Sequence, residues 1–171
     1  MSGFAKKIRY SGPLKERLED ECKRAKVKYH IPERNVVTRW NSTVVMMESA
    51  FTLRTPVDNL CDREPGLSKY KLTELEWQLV SQLRPILAGF LDATRIMSQS
   101  NICLVTDVIP LIDTLHAGLT DVVADTSNHP AVRHAVQRGI SALNKYYSLT
   151  DDSYIARFAL RSYAFRSILF F

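Results

Sequence analysis

The sequence predicts an all-α fold, an irregular bundle of about six helices, several of them kinked by proline. Three observations carry that expectation. Apolar residues recur at helical spacing in successive stretches, Thr73 and Glu76 are spaced as a capping box that opens a helix, and Pro56, Pro85 and Pro110 fall where such helices would stop or bend. With 171 residues, 46% of them hydrophobic, the chain can bury one real core.

Residues 1–13 combine Gly3, Gly12 and Pro13 with the bases Lys6, Lys7 and Arg9, and read as a flexible, exposed basic arm. The helical domain is expected over residues 14–160. Its first helix, 14–29, is mostly charged, with Leu14, Leu18, Cys22 and Ala25 as a thin apolar stripe. Its acids come early and its bases late, as the helix dipole favours, and His30-Ile31-Pro32 ends it.

A second helix spans about 40–54, with Thr38 or Asn41 as its cap, and Thr55-Pro56 kinks or stops it. A polar loop follows over 58–71, with Pro65-Gly66 as a turn. The capping box then opens a third helix, with Leu72 and Trp77 placed as a hydrophobic staple. That helix turns Trp77, Val80, Leu83, Leu87, Leu91, Thr94 and Met97 inward, and Trp77 is expected to be buried. Leu104 to Val122 trace a fourth apolar face, interrupted by Pro110. Asn128 caps a fifth helix through Val132, Val136, Ile140, Leu143 and Tyr147, with Pro130 near its first position. Thr150-Asp151-Asp152-Ser153 would cap a last segment. Reading the two aspartates as metal ligands would require a third oxygen ligand that no motif supplies.

A formal charge of +5 and a pI near 9.2 favour an anionic partner. Cys22, Cys61 and Cys103 lie far apart with no CxxC, which points to reduced thiols and away from a zinc site or a disulfide framework. No apolar run is long enough to span a membrane, and residues 1–12 lack the apolar core of a secretory signal. No cofactor is expected. A phosphate-binding glycine loop, a nucleophile motif and a metal-spaced His/Cys set are all missing from the sequence.

The chain is organised around Val37-Thr38-Arg39-Trp40-Asn41-Ser42-Thr43. Trp40, Val44, Met47 and Phe51 share one helix face, so Trp40 reads as the first large residue of a buried stripe. Alternatively, a guanidinium beside an indole at a helix start can grip a phosphate and stack on an unpaired base. Spacing alone leaves both readings open.

The run Thr38-Arg39-Trp40-Asn41-Ser42-Thr43 with Met47 and Glu48 resembles the signature of hAT-family DNA transposases, especially the BED zinc-finger type of fungi and plants. Lys6-Lys7-Ile8-Arg9 upstream, then Leu72-Thr73 with Trp77, Pro110-Leu111, Lys145-Tyr146-Tyr147 and Thr150-Asp151-Asp152-Ser153 follow the family's order. The likeness covers about residues 5–160. Residues 161–171 form a divergent aromatic and basic tail, since Arg161-Ser162-Tyr163-Ala164-Phe165 stands where relatives carry a His-Pro pair.

The resemblance implies the helical insertion of a ribonuclease H-like core without the two Asp and one Glu that hold the catalytic metal. It therefore implies a catalytically incomplete, nuclear fragment that is not an enzyme and keeps at most weak, salt-dependent DNA binding. The family's DNA-handling pair maps onto Arg39 and Trp40, and Lys6, Lys7 and Arg9 are the further DNA-contact candidates. The alternative is a helical protein-interaction module with no nucleic-acid role. In either case the aromatic C-terminal end is a candidate protein contact.

Overall fold

The computed structural model describes residues 1–98 and 105–151, except for the side chains of 105–107 and 146–151. Seven α-helices and no strand occur among the described residues: α1 Ser2–Arg9, α2 Gly12–Arg24, α3 Trp40–Thr52, α4 Arg54–Arg63, α5 Glu74–Met97, α6 Val105–Ala124 and α7 Pro130–Asp151. The chain divides into two compact units, Met1–Leu87 and Ala88–Phe171, with the boundary inside α5.

In the first unit, Phe4, Ile8, Leu18, Cys22, Leu53, Val57, Leu60, Cys61 and Leu67 form one core, to which α1, α2 and α4 all contribute. The segment expected to be a flexible arm is helix α1. Phe4 and Ile8 stand four residues apart on one helix face, and burying each stabilises by roughly 1.5–3 kcal/mol, enough to dock a two-turn helix that would not persist alone. Gly3 makes the docking close, because a Cβ there would lie 2.8 Å from the Tyr70 ring, which also packs edge-on against Phe4.

Helix α2 begins at Gly12, earlier than expected, since Pro13 is suited to a first helical turn. It also ends earlier, at Arg24 rather than at His30-Ile31-Pro32. Lys26 takes the left-handed conformation (φ 55°), the Val27 N–H donates to the Cys22 carbonyl at 2.9 Å, and the Lys26 N–H donates to Lys23 at 3.2 Å. This is a Schellman stop with lysine in the position glycine usually holds. A long irregular segment then leads to α3.

Pro56 does not open a loop. It sits in the first turn of α4, where its missing N–H has no helical partner to lose, and Val57, Leu60 and Cys61 face the core at helical spacing. Between α2 and α4 the Glu21 carboxylate, 3% exposed, is held by Arg24, Arg63 and, at 3.4 Å, the Asn59 amide. The capping box forms as expected: the Thr73 N–H donates to Glu76 at 2.7 Å and the Glu76 N–H donates to the Thr73 hydroxyl at 3.3 Å. Trp77 is buried at 1% exposure, whereas Met97, expected to face inward, is exposed.

In the second unit α6 and α7 pack as a hairpin, with Ile109 and Leu119 buried from one and Val132, Val136 and Ile140 from the other. Pro110 lies inside α6. Asn128 is not the α7 cap, because its amide donates back to the Val122 carbonyl at 3.2 Å. His129 takes that place, its Nδ1 accepting the Ala131 N–H at 3.1 Å. Thr150 and Asp151 continue α7. Cys103, Asp152, Ser153 and the aromatic, basic end lie outside the described residues.

Candidate nucleic-acid interface

The irregular segment between α2 and α3 is fastened to α3 at several points. The Ser49 hydroxyl, buried on α3, accepts the Glu33 N–H at 3.1 Å and bonds His30 Nε2 at 2.9 Å, while Glu33 pairs with Arg9 of α1 at 3.7 Å. The chain then reverses in a β-turn, Val36 to Arg39, closed by the Arg39 N–H on the Val36 carbonyl at 2.8 Å. Arg39 caps α3 in an extended conformation, and neither Thr38 nor Asn41 does so. The expected cap fails because α3 draws its local support from Ser42, whose hydroxyl accepts the Val36 N–H at 2.7 Å and lies 2.6 Å from the Arg39 carbonyl.

This turn puts Val37 at its tip, 95% exposed, and leaves Trp40 45% exposed at the start of α3. Trp40 is therefore not the first residue of a buried stripe, although Val44, one turn on, is fully buried. The Arg34 and Arg39 side chains are exposed, and no acidic group pairs with either among the described residues. An aromatic face, an apolar tip and two uncompensated guanidiniums thus share one short surface segment, a combination that can take an anionic group and a flat ring together.

The N-terminal bases fare differently. Lys7 donates to the Gly66 carbonyl at 2.9 Å and lies 5.7 Å above the Tyr70 ring, and Arg9 is half-buried against Glu33. Both are engaged inside the unit by the docking of α1. Lys6 stays exposed, and no contact joins it or Lys7 to Arg39 or Trp40 among the described residues. Asn35 Oδ1 lies 2.9 Å from the Ser42 hydroxyl and 3.0 Å from the Thr43 hydroxyl, contacts that the sequence did not signal for Asn35 and signalled for Ser42 only as a serine two residues after Trp40.

Charge is unevenly shared. Residues 1–87 carry 16 Lys and Arg against 11 Asp and Glu, and residues 88–171 carry 7 of each, so the net +5 belongs to the unit that bears the turn.

Beside the turn, α3 and α5 enclose an apolar groove of about 330 Å³, lined by Met46, Met47, Ala50, Leu72, Leu79 and Val80 among others. Behind it, Arg54 stacks 5.2 Å from the centroid of the Trp77 ring and pairs with Glu74 at 2.6 Å. Burial pushes the Asp58 carboxyl above its ordinary pKa, against the pull of the Trp77 indole N–H, Lys71 and Arg54. The indole approaches the carboxylate without reaching full hydrogen-bonding geometry. Among the described residues no group of three His, Cys, Asp or Glu side chains is placed to hold a metal, and no helix is long and apolar enough to cross a membrane.

The chain is similar to tpeD of Talaromyces stipitatus, a protein named as a proposed transcriptional regulator, with 29% identity over 121 residues. The match covers 71% of this chain and 12% of that protein. No family model and no solved structure matches the chain.

Proposed function

We propose that this chain is a helical segment of hAT-transposase type that contacts nucleic acid in the nucleus through Arg39 and Trp40. The observation that carries this reading is the partly exposed Trp40 in the same surface segment as the exposed Arg34 and Arg39, which have no acidic partner among the described residues, within the unit that holds the whole net charge. The ring would stack on an unpaired base while the guanidiniums take phosphate oxygens, an arrangement that is tolerant of sequence. The naming of the Talaromyces stipitatus protein as a proposed transcriptional regulator is in keeping with a nuclear, nucleic-acid setting.

The test is anisotropy titration of labelled single-stranded and hairpin DNA with the parent, Trp40→Ala and Arg39→Ala. Affinity of the parent should be micromolar or weaker. Trp40→Ala should lose about 1–3 kcal/mol of it. Parent-like binding by both variants would overturn the reading.

A second reading, a protein-interaction module, is favoured by the methionine-lined groove between α3 and α5, a surface suited to apolar partner side chains. Absence of any DNA binding at low salt would favour it over the first.

A further inference from the structure

The exposed turn is an unusual thing for a short segment to hold. Val37, 95% exposed, gains almost nothing from burial and Trp40, 45% exposed, gains only part of what its ring could, so apolar burial leaves the turn incompletely fixed. The rest of the fixing comes from beneath. The Ser42 Oγ lies within hydrogen-bonding distance of four groups: the Val36 N–H at 2.7 Å, the Arg39 carbonyl at 2.6 Å, Asn35 Oδ1 at 2.9 Å and the Val36 carbonyl at 3.0 Å. Asn35 Oδ1 also meets the Thr43 hydroxyl at 3.0 Å.

A hydroxyl has one hydrogen, so Ser42 accepts from Val36 and donates to one oxygen at a time, the Arg39 carbonyl being nearest. The Asn35 amide can meet the Ser42 and Thr43 hydroxyls by accepting or by donating, and so bridges two residues of the first α3 turn in either orientation. Both ends of the β-turn, Val36 and Arg39, are thereby tied to one side chain on the helix that begins with Trp40.

We infer that Asn35 and Ser42 are positioning residues: a polar clasp that holds the 36–39 turn against α3 and presents Arg39 and Trp40 together to the bound nucleic acid. The clasp acts through the turn and touches no ligand itself. The inference rests on the nucleic-acid reading for its ligand, but the clasp has a readout of its own.

Two measurements separate them. The first follows the indole N–H resonances of the two tryptophans, Trp40 assigned by its loss in Trp40→Phe, together with exchange of the Val36 amide. The second is single-stranded DNA affinity by anisotropy. Ser42→Ala should shift the Trp40 resonance, leave the Trp77 resonance in place, speed Val36 exchange and weaken binding roughly two- to tenfold, the range set by one or two lost hydrogen bonds. Ser42→Thr, which keeps the hydroxyl, should restore all of these. Asn35→Ala should repeat the Ser42→Ala pattern in milder form and serves as the working variant if Ser42→Ala does not fold.

An unchanged Trp40 resonance and unchanged Val36 exchange in Ser42→Ala and Asn35→Ala overturn the clasp. A shifted resonance with parent affinity overturns its positioning role. If the parent binds no DNA, the functional reading falls, and the positioning role falls with it even where the clasp itself shows in the resonance and exchange data.

Discussion

At the scale of single residues the two tryptophans differ in what surrounds them, and mutation should separate them. Trp77 is enclosed between α4 and α5 under the Arg54 guanidinium, so Trp77→Ala removes a large buried ring and should cost about 3–5 kcal/mol in denaturant melts. Trp40→Ala removes a ring that is nearly half in solvent and should cost about 1–2 kcal/mol. Comparable losses for both would show that the turn folds down on the indole in solution. Cys61 gives a second test at this scale. Burial in the core, with Asp58 and Asp62 adding to it, pushes its thiol up to about 11, so it stays protonated at neutral pH. In a Cys103→Ser background, Cys22 and Cys61 should resist iodoacetamide until the protein is denatured; rapid labelling of the native protein would contradict the core packing.

At the scale of elements, helix ends decide what the apolar stripes leave open. Lys26 holds a left-handed conformation that costs an L-residue on the order of 1–2 kcal/mol, so Lys26→Gly should stabilise the protein by about 1 kcal/mol after the extra freedom glycine gives the unfolded chain. A lower melting temperature for this variant would mean that the Schellman stop is not formed. The caps also set a pH dependence. Backbone and then side-chain hydrogen bonds from Thr73 hold Glu76 below its ordinary pKa, and the Ser127 hydroxyl and N–H do the same for Asp125 between α6 and α7. Their stabilisation is complete above the ordinary carboxylate pKa of about 4 and is lost as the pH falls through their lower folded values. Asp58, held above its ordinary value by burial, acts in the opposite sense and destabilises as it ionises on the way up. Glu76→Gln should therefore flatten part of the acid limb of a melting-temperature profile; a limb identical to the parent's would remove the capping box from the account.

At the scale of the whole molecule, the charge is concentrated in residues 1–87 while residues 88–171 are balanced. Binding that rests on phosphate contacts from the first unit should weaken steeply with salt, because each contact releases counterions, with a slope of about 0.7 per contact on single strands. Arg39→Ala should lower that slope by roughly one contact's worth. Salt-insensitive binding to one duplex sequence would point to base reading by groups other than these.

The sequence by itself determined that the chain is helical and where its strongest helices lie. The Thr73–Glu76 capping box and the spacing of Val132, Val136 and Ile140 depend on neighbours within a few residues, which a single sequence records; Trp77 was placed on an inward face by the same spacing, and its cover comes from Arg54 and the rest of α4. It also singled out Arg39 and Trp40 as a pair. Only tertiary structure decided which side of that pair faces water. The periodicity that places Trp40 on the face of Val44 says nothing of what lies across from it, and what lies there leaves Trp40 45% exposed. The same holds for α1, which looks like a polar arm until α2, α4 and Tyr70 supply the surface that Phe4 and Ile8 bury against. Its docking engages Lys7 and Arg9 and leaves Lys6 exposed. Local order follows from neighbours along the chain, whereas exposure depends on neighbours across space, which a single sequence does not record.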